Sequence, residues 1–223
     1  PAGAQPIRHH YMPFARQEST SITGELRRDL PVPSLARRPY HFACRANSLR
    51  EKEPGKLPVE FGLAVENFTP ASKRPSVERI LAYADAAESL GYRSLWVWDH
   101  LFLGNRRPFP FLESMSTLAA LATRTSTVTL GTGVLVLPLR NPVVLAKVAA
   151  TVDLLSGGRL ALGVAAGWYE REFQACGVPF TARGRLFERN LEVLDRLWRE
   201  PEVSGAWDEL DLRGVVMLPP PAS

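Results

Sequence analysis

Cysteine is scarce: Cys44 and Cys176 are the only two in 223 residues, with no CxxC spacing. That excludes a disulfide framework and the common zinc and redox motifs, and a reducing cytoplasm is the expected compartment. Cys176 is expected to be a small, buried or half-buried residue rather than a nucleophile. Long apolar runs are also missing. The stretches around Leu135 and Leu145 are interrupted by Pro138, Arg140, Lys147 and Asp153, short of the roughly 18 residues a membrane span needs, so no membrane partner is expected. The opening residues, PAGAQPIRHHYMPFARQ, hold no apolar core of a secretory signal and do not start with Met. His9 and His10 are adjacent, share no helix face, and make a poor metal site; no metal is expected.

What is present is ordinary globular composition, 45% hydrophobic and 22% charged, enough for one or two domains. The net charge of +4 is unevenly placed. Of 27 Lys and Arg and 23 Asp and Glu, ten and five fall at or before Leu57, leaving 17 against 18 for the remainder. Residues 1–57 also carry seven prolines and three of the four histidines without a period of 2 or 3.6. They are expected to form an irregular or disordered basic extension. Its arginines are dispersed and not interleaved with aromatics, so no nucleic-acid partner is expected.

From Val59 a strand-then-helix unit repeats at roughly 33-residue spacing. The first strand is expected over Val59–Val65 and its helix over Ser76–Leu90, with Val77, Ile80, Leu81, Ala84, Ala87 and Leu90 on one face. Pro75 precedes the cap and Gly91 follows the end. A second strand, Ser94–Trp98, leads to a helix over Leu112–Arg124. A third, Thr127–Leu135, leads to a helix capped by Asn141 with Pro142 in its first position. Gly157 and Gly158 end that helix before a fourth strand, Arg159–Val164. A last helix over Thr181–Arg199 puts Phe187, Leu191, Leu194 and Trp198 on one stripe, and short extended pieces with turns at Gly205 and Gly214 follow. Near-continuous apolar strands alternating with helices predict a parallel sheet covered by helices. The fold class is α/β, and residues 58–223 hold four such units, half the number in a (β/α)8 barrel.

The chemistry-bearing residues fall where such a sheet keeps its sites. WVWDHLF, residues 96–102, stops an apolar strand at Asp99 and His100, at its carboxyl end. The residues alone allow two readings: His100 as a proton donor or acceptor, or Asp99 as a loop cap with His100 a polar strand-end residue. GTGV, residues 131–134, places glycines inside a strand, which suggests a bulge or a close backbone approach, or merely room for a neighbouring side chain. GVAAGW, residues 163–168, lies at the same rim and lacks GxGxxG spacing. Gly167 and Trp168 are candidate pocket residues, while Trp168, Tyr169 and Phe173 equally suit a packing cluster. Glu66 and Asn67 are weaker candidates for a pocket floor. SGGR, residues 156–159, sits at the opposite rim and is expected to be a turn. Arg183, Arg185 and Arg189 are expected on a solvated helix face.

Taken in order, FGLAVENF, GYRSLWVWDHL, ESMSTLAALA, LGTGVLVLPLRNPVVLAKVAATVDLLSGGRLALGV and GWYEREFQACGVPFTARG resemble successive signatures of the bacterial luciferase-like monooxygenase family, in particular its deazaflavin-dependent branch. The resemblance implies an eight-stranded α/β barrel with a flavin-type ring at the carboxyl ends of the strands. The cofactor it implies is coenzyme F420, with FMN as the alternative, and the substrate a small organic molecule. It makes His100 the catalytic acid/base. Asp99, Thr132, Gly133, Val134, Gly167 and Trp168 become cofactor contacts, with Asp99 bonding the ring or orienting His100. It also implies a strand-three bulge at Gly133 and Val134, often with a cis non-proline peptide. Ala165 or Ala166 stands where relatives commonly carry glycine. Relatives continue into four more strands that supply a phosphate-holding loop. Three explanations for their absence are a truncated gene product, a half-barrel that forms a homodimer through its open edges, and a cofactor-binding remnant without turnover.

Overall fold

The computed structural model describes residues 59–69, 73–104 and 108–222. The extension assigned to residues 1–57, with His9 and His10, lies outside them. Four short parallel strands form the sheet in the order β1 (Gly62–Val65), β2 (Ser94–Val97), β3 (Thr129–Thr132) and β5 (Leu160–Ala161). The register is regular: Ala64 lies beside Trp96, Trp96 beside Gly131, and Gly131 beside Ala161. β4 (Leu135–Val136) and β6 (Val164–Ala165) continue the third and fourth strands as a separate parallel pair. Strands three and four are thus each broken in two, where the sequence predicts continuous runs.

The side-chain period of two sorts the sheet into two faces. Val65, Leu95, Val97 and Leu130 are buried against the helices. The other face carries Gly62, Ala64, Trp96, Gly131 and Ala161. There the Trp96 indole occupies the space beside Gly131, where an added Cβ would lie 2.3 Å from its ring. So this glycine makes room for a neighbouring side chain.

The helices end where local chemistry ends them. α1 (Val77–Ser89) is capped by Ser76, whose hydroxyl accepts from the Arg79 N–H. α2 (Ser114–Arg124) is capped by Glu113. α3 (Pro142–Ser156) begins at Asn141, whose side chain accepts from the N–H groups of Val143 and Val144, and closes on Gly157 at φ 70°. The SGGR segment is the expected turn, and Arg159 bonds the carbonyls of Ala122, Thr125, Val128 and Ser156. Leu118, Leu121, Leu130 and Leu135 are wholly buried between sheet and helices, each contributing about 1.5–3 kcal/mol.

Several expectations are corrected. α1 buries Ile80, Ala84 and Ala87 but leaves Val77 and Leu90 exposed at its ends. α4 (Glu170–Ala175) is a short helix that buries only Glu172 and Phe173, so Cys176 at its end is exposed. α5 (Arg183–Arg199) buries Leu186, Asn190, Val193, Leu194 and Leu197 and leaves Leu191 exposed. The stripe is shifted because Asn190 takes a core position by donating to the carbonyls of Leu137 and Arg140. β7 (Val203–Trp207) and β8 (Leu210–Val215) form an antiparallel hairpin. Its turn is at Asp208 and Glu209; Gly205 lies beside a register shift and Gly214 within β8. Arg185 and Arg189 both pair with Asp208; Arg185 stays solvent-exposed as expected, whereas Arg189 is largely covered against this turn. Among the described residues no helix is long and apolar enough to cross a membrane.

Candidate active site

The carboxyl ends of the strands form one rim, and its shape is set by buried polar groups. Asn67, just past β1, is fully buried. Its amide donates to the carbonyls of Trp98 (2.8 Å) and Leu112 (2.9 Å) and accepts from the Trp98 N–H (3.1 Å). This clamp holds the exit of β2. It is a structural tie and not the pocket floor suggested by position, whereas Glu66 is exposed.

Asp99, also buried, turns away from the rim. Oδ1 accepts from Arg140 Nη2 at 2.6 Å and from the Ser114 hydroxyl at 2.8 Å, while Oδ2 accepts from the Val136 N–H at 2.8 Å. Both oxygens are engaged, so Asp99 ties β2 to β4 and α2, and it does not orient His100. Arg140 also meets Glu113 at 3.2 Å. Burial raises the Glu113 carboxyl, but the Ser116 N–H and hydroxyl, the Met115 N–H and Arg140 outweigh it and hold the group below its usual value.

His100 faces the other way. Its Nδ1 lies 3.1 Å from Glu172 Oε2, and Glu172 is 1% exposed. The second carboxylate oxygen accepts from the N–H groups of Leu101 (2.6 Å) and Phe102 (3.4 Å). The imidazole is surrounded by aromatic rings: Phe111 at 5.3 Å, Trp168 at 5.8 Å and Tyr169 at 6.5 Å between centroids. Phe68 stacks on Phe111 at 4.9 Å and meets Trp98 at 5.1 Å.

Strand three reaches the same rim. The Gly133 N–H donates to the Val97 carbonyl at 2.8 Å, the Gly133–Val134 peptide is cis, and both residues are exposed between β3 and β4. Thr132 is corrected. It is fully buried and its hydroxyl donates to the Gly163 carbonyl at 2.7 Å, leaving no surface for a ligand. Gly167 is likewise a packing residue: at φ +81° its missing Cβ would lie 2.5 Å from Val136 Cγ1 and 3.0 Å from the Phe173 ring. Trp168 is 66% exposed. The structure thus brings His100, Gly133, Val134 and Trp168 to one rim and turns Asp99 and Thr132 inward. A groove of about 590 Å³ lies elsewhere, between α2 and α3.

Glu172, Phe111 and Arg140 were not singled out by sequence reasoning. The only signal for Glu172 is that EREF supplies two carboxylates on a short helix, one of which must face inward.

Residues 59–223 match the family described as luciferase-like monooxygenase. The chain belongs to this family. It is 34% identical over 143 residues to 4-hydroxyprotoasukamycin monooxygenase of Streptomyces nodosus subsp. asukaensis, covering 62% of this chain and 37% of that protein. It is 31% identical over 160 residues to the F420-dependent glucose-6-phosphate dehydrogenase of Amycolatopsis mediterranei, covering 70% and 46%. Monooxygenase RslO1 from Streptomyces bottropensis superposes with a TM-score of 0.64 at 26% identity, over 74% of this chain and 50% of that one. An F420-dependent secondary alcohol dehydrogenase, in complex with an F420-acetone adduct, shares the fold at a TM-score of 0.62 and 21% identity, over 75% and 50%. The luciferase-like chain therefore spans about half or less of the length of these relatives, and its fold is part of their α/β barrel.

Proposed function

We propose that the rim carrying His100, Gly133, Val134 and Trp168 is the cofactor face of a luciferase-like oxidoreductase that acts on a small organic molecule in the cytoplasm. The cofactor is coenzyme F420, with FMN as the alternative. The residues present fit a flat, largely apolar ring: Gly133 and Val134 offer an exposed backbone edge, Trp168 exposes indole surface beside the imidazole, and Trp98 exposes indole surface at the end of β2. The bound ring would supply or accept the hydride, with oxygen as a co-substrate in the monooxygenase variant.

This chain's own residues have three tasks in that reading. Gly133 and Val134 bear on the ring. His100 gives or takes the proton that accompanies hydride movement, a role typically worth ~10²–10⁴-fold. Phe111, Trp168 and Tyr169 crowd water away from the imidazole. The single observation that carries the proposal is an imidazole fixed by a buried carboxylate at the same rim as the Gly133–Val134 break.

A second reading, a half-barrel that binds the cofactor without turnover or pairs with a second copy, is favoured by one observation. β1 and β5 end the sheet of the described residues, and the face carrying Ala64 and Trp96 is only partly covered. Gel filtration of the purified chain with F420 and with FMN, followed by mass and absorbance of the eluted species, separates these readings. Co-elution of one cofactor, with slow turnover that is lost in His100→Asn, supports the enzyme. Stable dimers, or retained cofactor without turnover, support the second reading, and a monomer that binds neither cofactor sinks both.

A further inference from the structure

We infer that Glu172 is a positioning residue that selects the tautomer of His100, keeping the proton of the neutral ring on Nδ1 and leaving Nε2 as the basic nitrogen. The functional weight of this inference rests on the proposed role of His100 as acid/base; its geometric content does not.

The argument begins with what a carboxylate can do. An ionised Glu accepts hydrogen bonds and donates none. Oε1 already receives the Leu101 and Phe102 N–H groups, so its direction is set by backbone, and Oε2 is left pointing at His100 Nδ1 across 3.1 Å. An acceptor on that side requires a proton on Nδ1, which fixes Nε2 as the nitrogen with the free lone pair. Among the described residues the ring makes no other hydrogen bond, and its aromatic neighbours are Phe111, Trp168 and Tyr169.

The carboxylate is itself firmly placed. Glu172 and Phe173 are the two buried residues of α4, and the Phe173 ring packs against Phe180 at 5.2 Å. The same glutamate therefore joins three parts of the rim: α4, the backbone that leaves β2, and the imidazole. A purely structural role would need only the two backbone bonds. The bond to Nδ1 adds a chemical instruction, because it decides whether the ring meets a ligand through Nε2 as an acceptor or as a donor.

Glu172→Gln inverts that instruction without changing shape. The Leu101 and Phe102 N–H groups hold the amide oxygen, so the amide nitrogen faces His100 and donates to Nδ1. The ring proton then moves to Nε2. The chain, labelled with ¹⁵N-histidine, is recorded by long-range ¹H–¹⁵N correlation as the pH is raised until the ring signals stop moving, so that the neutral form is read. His100→Asn identifies the signal among the four histidines. The expected spectrum shows a protonated Nδ1 and an unprotonated Nε2 in the wild type, inverted in Glu172→Gln. An Nε2–H tautomer in the wild type overturns the inference, and so does a tautomer that Glu172→Gln leaves unchanged. If the variant does not fold, the wild-type spectrum alone decides. Cofactor binding with an Nε2–H ring would retain the proposed function and remove this inference; an Nδ1–H ring in a chain that binds neither cofactor would do the reverse.

Discussion

Asp99 and His100 are adjacent in sequence but do opposite work in this structure, and replacing each in turn should separate them. Asp99→Asn keeps the side-chain shape. The amide oxygen stays with the Val136 N–H, which turns the amide nitrogen toward Arg140 Nη2, where the carboxylate had accepted at 2.6 Å. A charge-assisted bond becomes a meeting of two donors. Breaking a buried ion pair by removing one partner costs about 3–5 kcal/mol. Arg140 keeps Glu113 at 3.2 Å, so the expected loss is about 2–4 kcal/mol. With a urea m-value of roughly 2 kcal/mol/M, the midpoint falls by about 1–2 M. His100→Asn removes one bond to Glu172, which retains two backbone donors, and costs no more than about 1.5 kcal/mol. Urea titrations followed by tryptophan fluorescence measure both. Asp99→Asn within about 0.5 kcal/mol of wild type, or His100→Asn as the more damaging change, would refute the assignment of Asp99 as the internal anchor.

Gly167→Ala should destabilise the chain by about 2–4 kcal/mol, because the new Cβ meets Val136 and Phe173 while the backbone stays at φ +81°; a melting temperature equal to wild type would contradict the packing role. Glu88 gives a pH signature. Burial raises its carboxyl, yet the N–H and hydroxyl of Thr127 and the N–H groups of Ser126 and Val128 outweigh that and lower it from 4.5 to about 2. A depressed carboxylate stabilises the fold above its unfolded value and loses that contribution as pH falls through the folded one. Glu88→Gln should therefore cost about 1–2 kcal/mol at neutral pH, after discounting for solvent screening. The gap to wild type should close between pH 4.5 and about 2. A gap that is constant with pH would show that the carboxylate's charge is not what ties α1 to the start of β3.

The alternation of strands and helices was legible because the physics behind it is local. Apolar strands, the Asn141–Pro142 start and the Gly157–Gly158 stop each act within a few residues; the start and stop lie where the sequence predicts, and the strands fall within the predicted runs, though shorter and, for the third and fourth, broken in two. The register of α5 was not legible, since Asn190 is polar by type and buried by virtue of two carbonyls fifty residues away. His100 could be placed at the rim from the end of its strand. Glu172 could not be paired with it, because the contact joins residues 72 apart and the EREF segment does not say which carboxylate turns inward. The partners of Asp99 were not legible for the same reason. Its partners Ser114, Val136 and Arg140 come from three later segments, and only the folded chain shows that they engage both oxygens.

The most direct test of the proposed rim is a chemical-shift map of the labelled chain titrated with oxidised F420 and, separately, with FMN. The account predicts that one of them shifts the His100 ring, the Gly133 and Val134 amides and the Trp168 indole, while Val144, Val148 and Leu155 in the α2–α3 groove stay unmoved. Shifts confined to that groove, or no shifts from either cofactor, would contradict it.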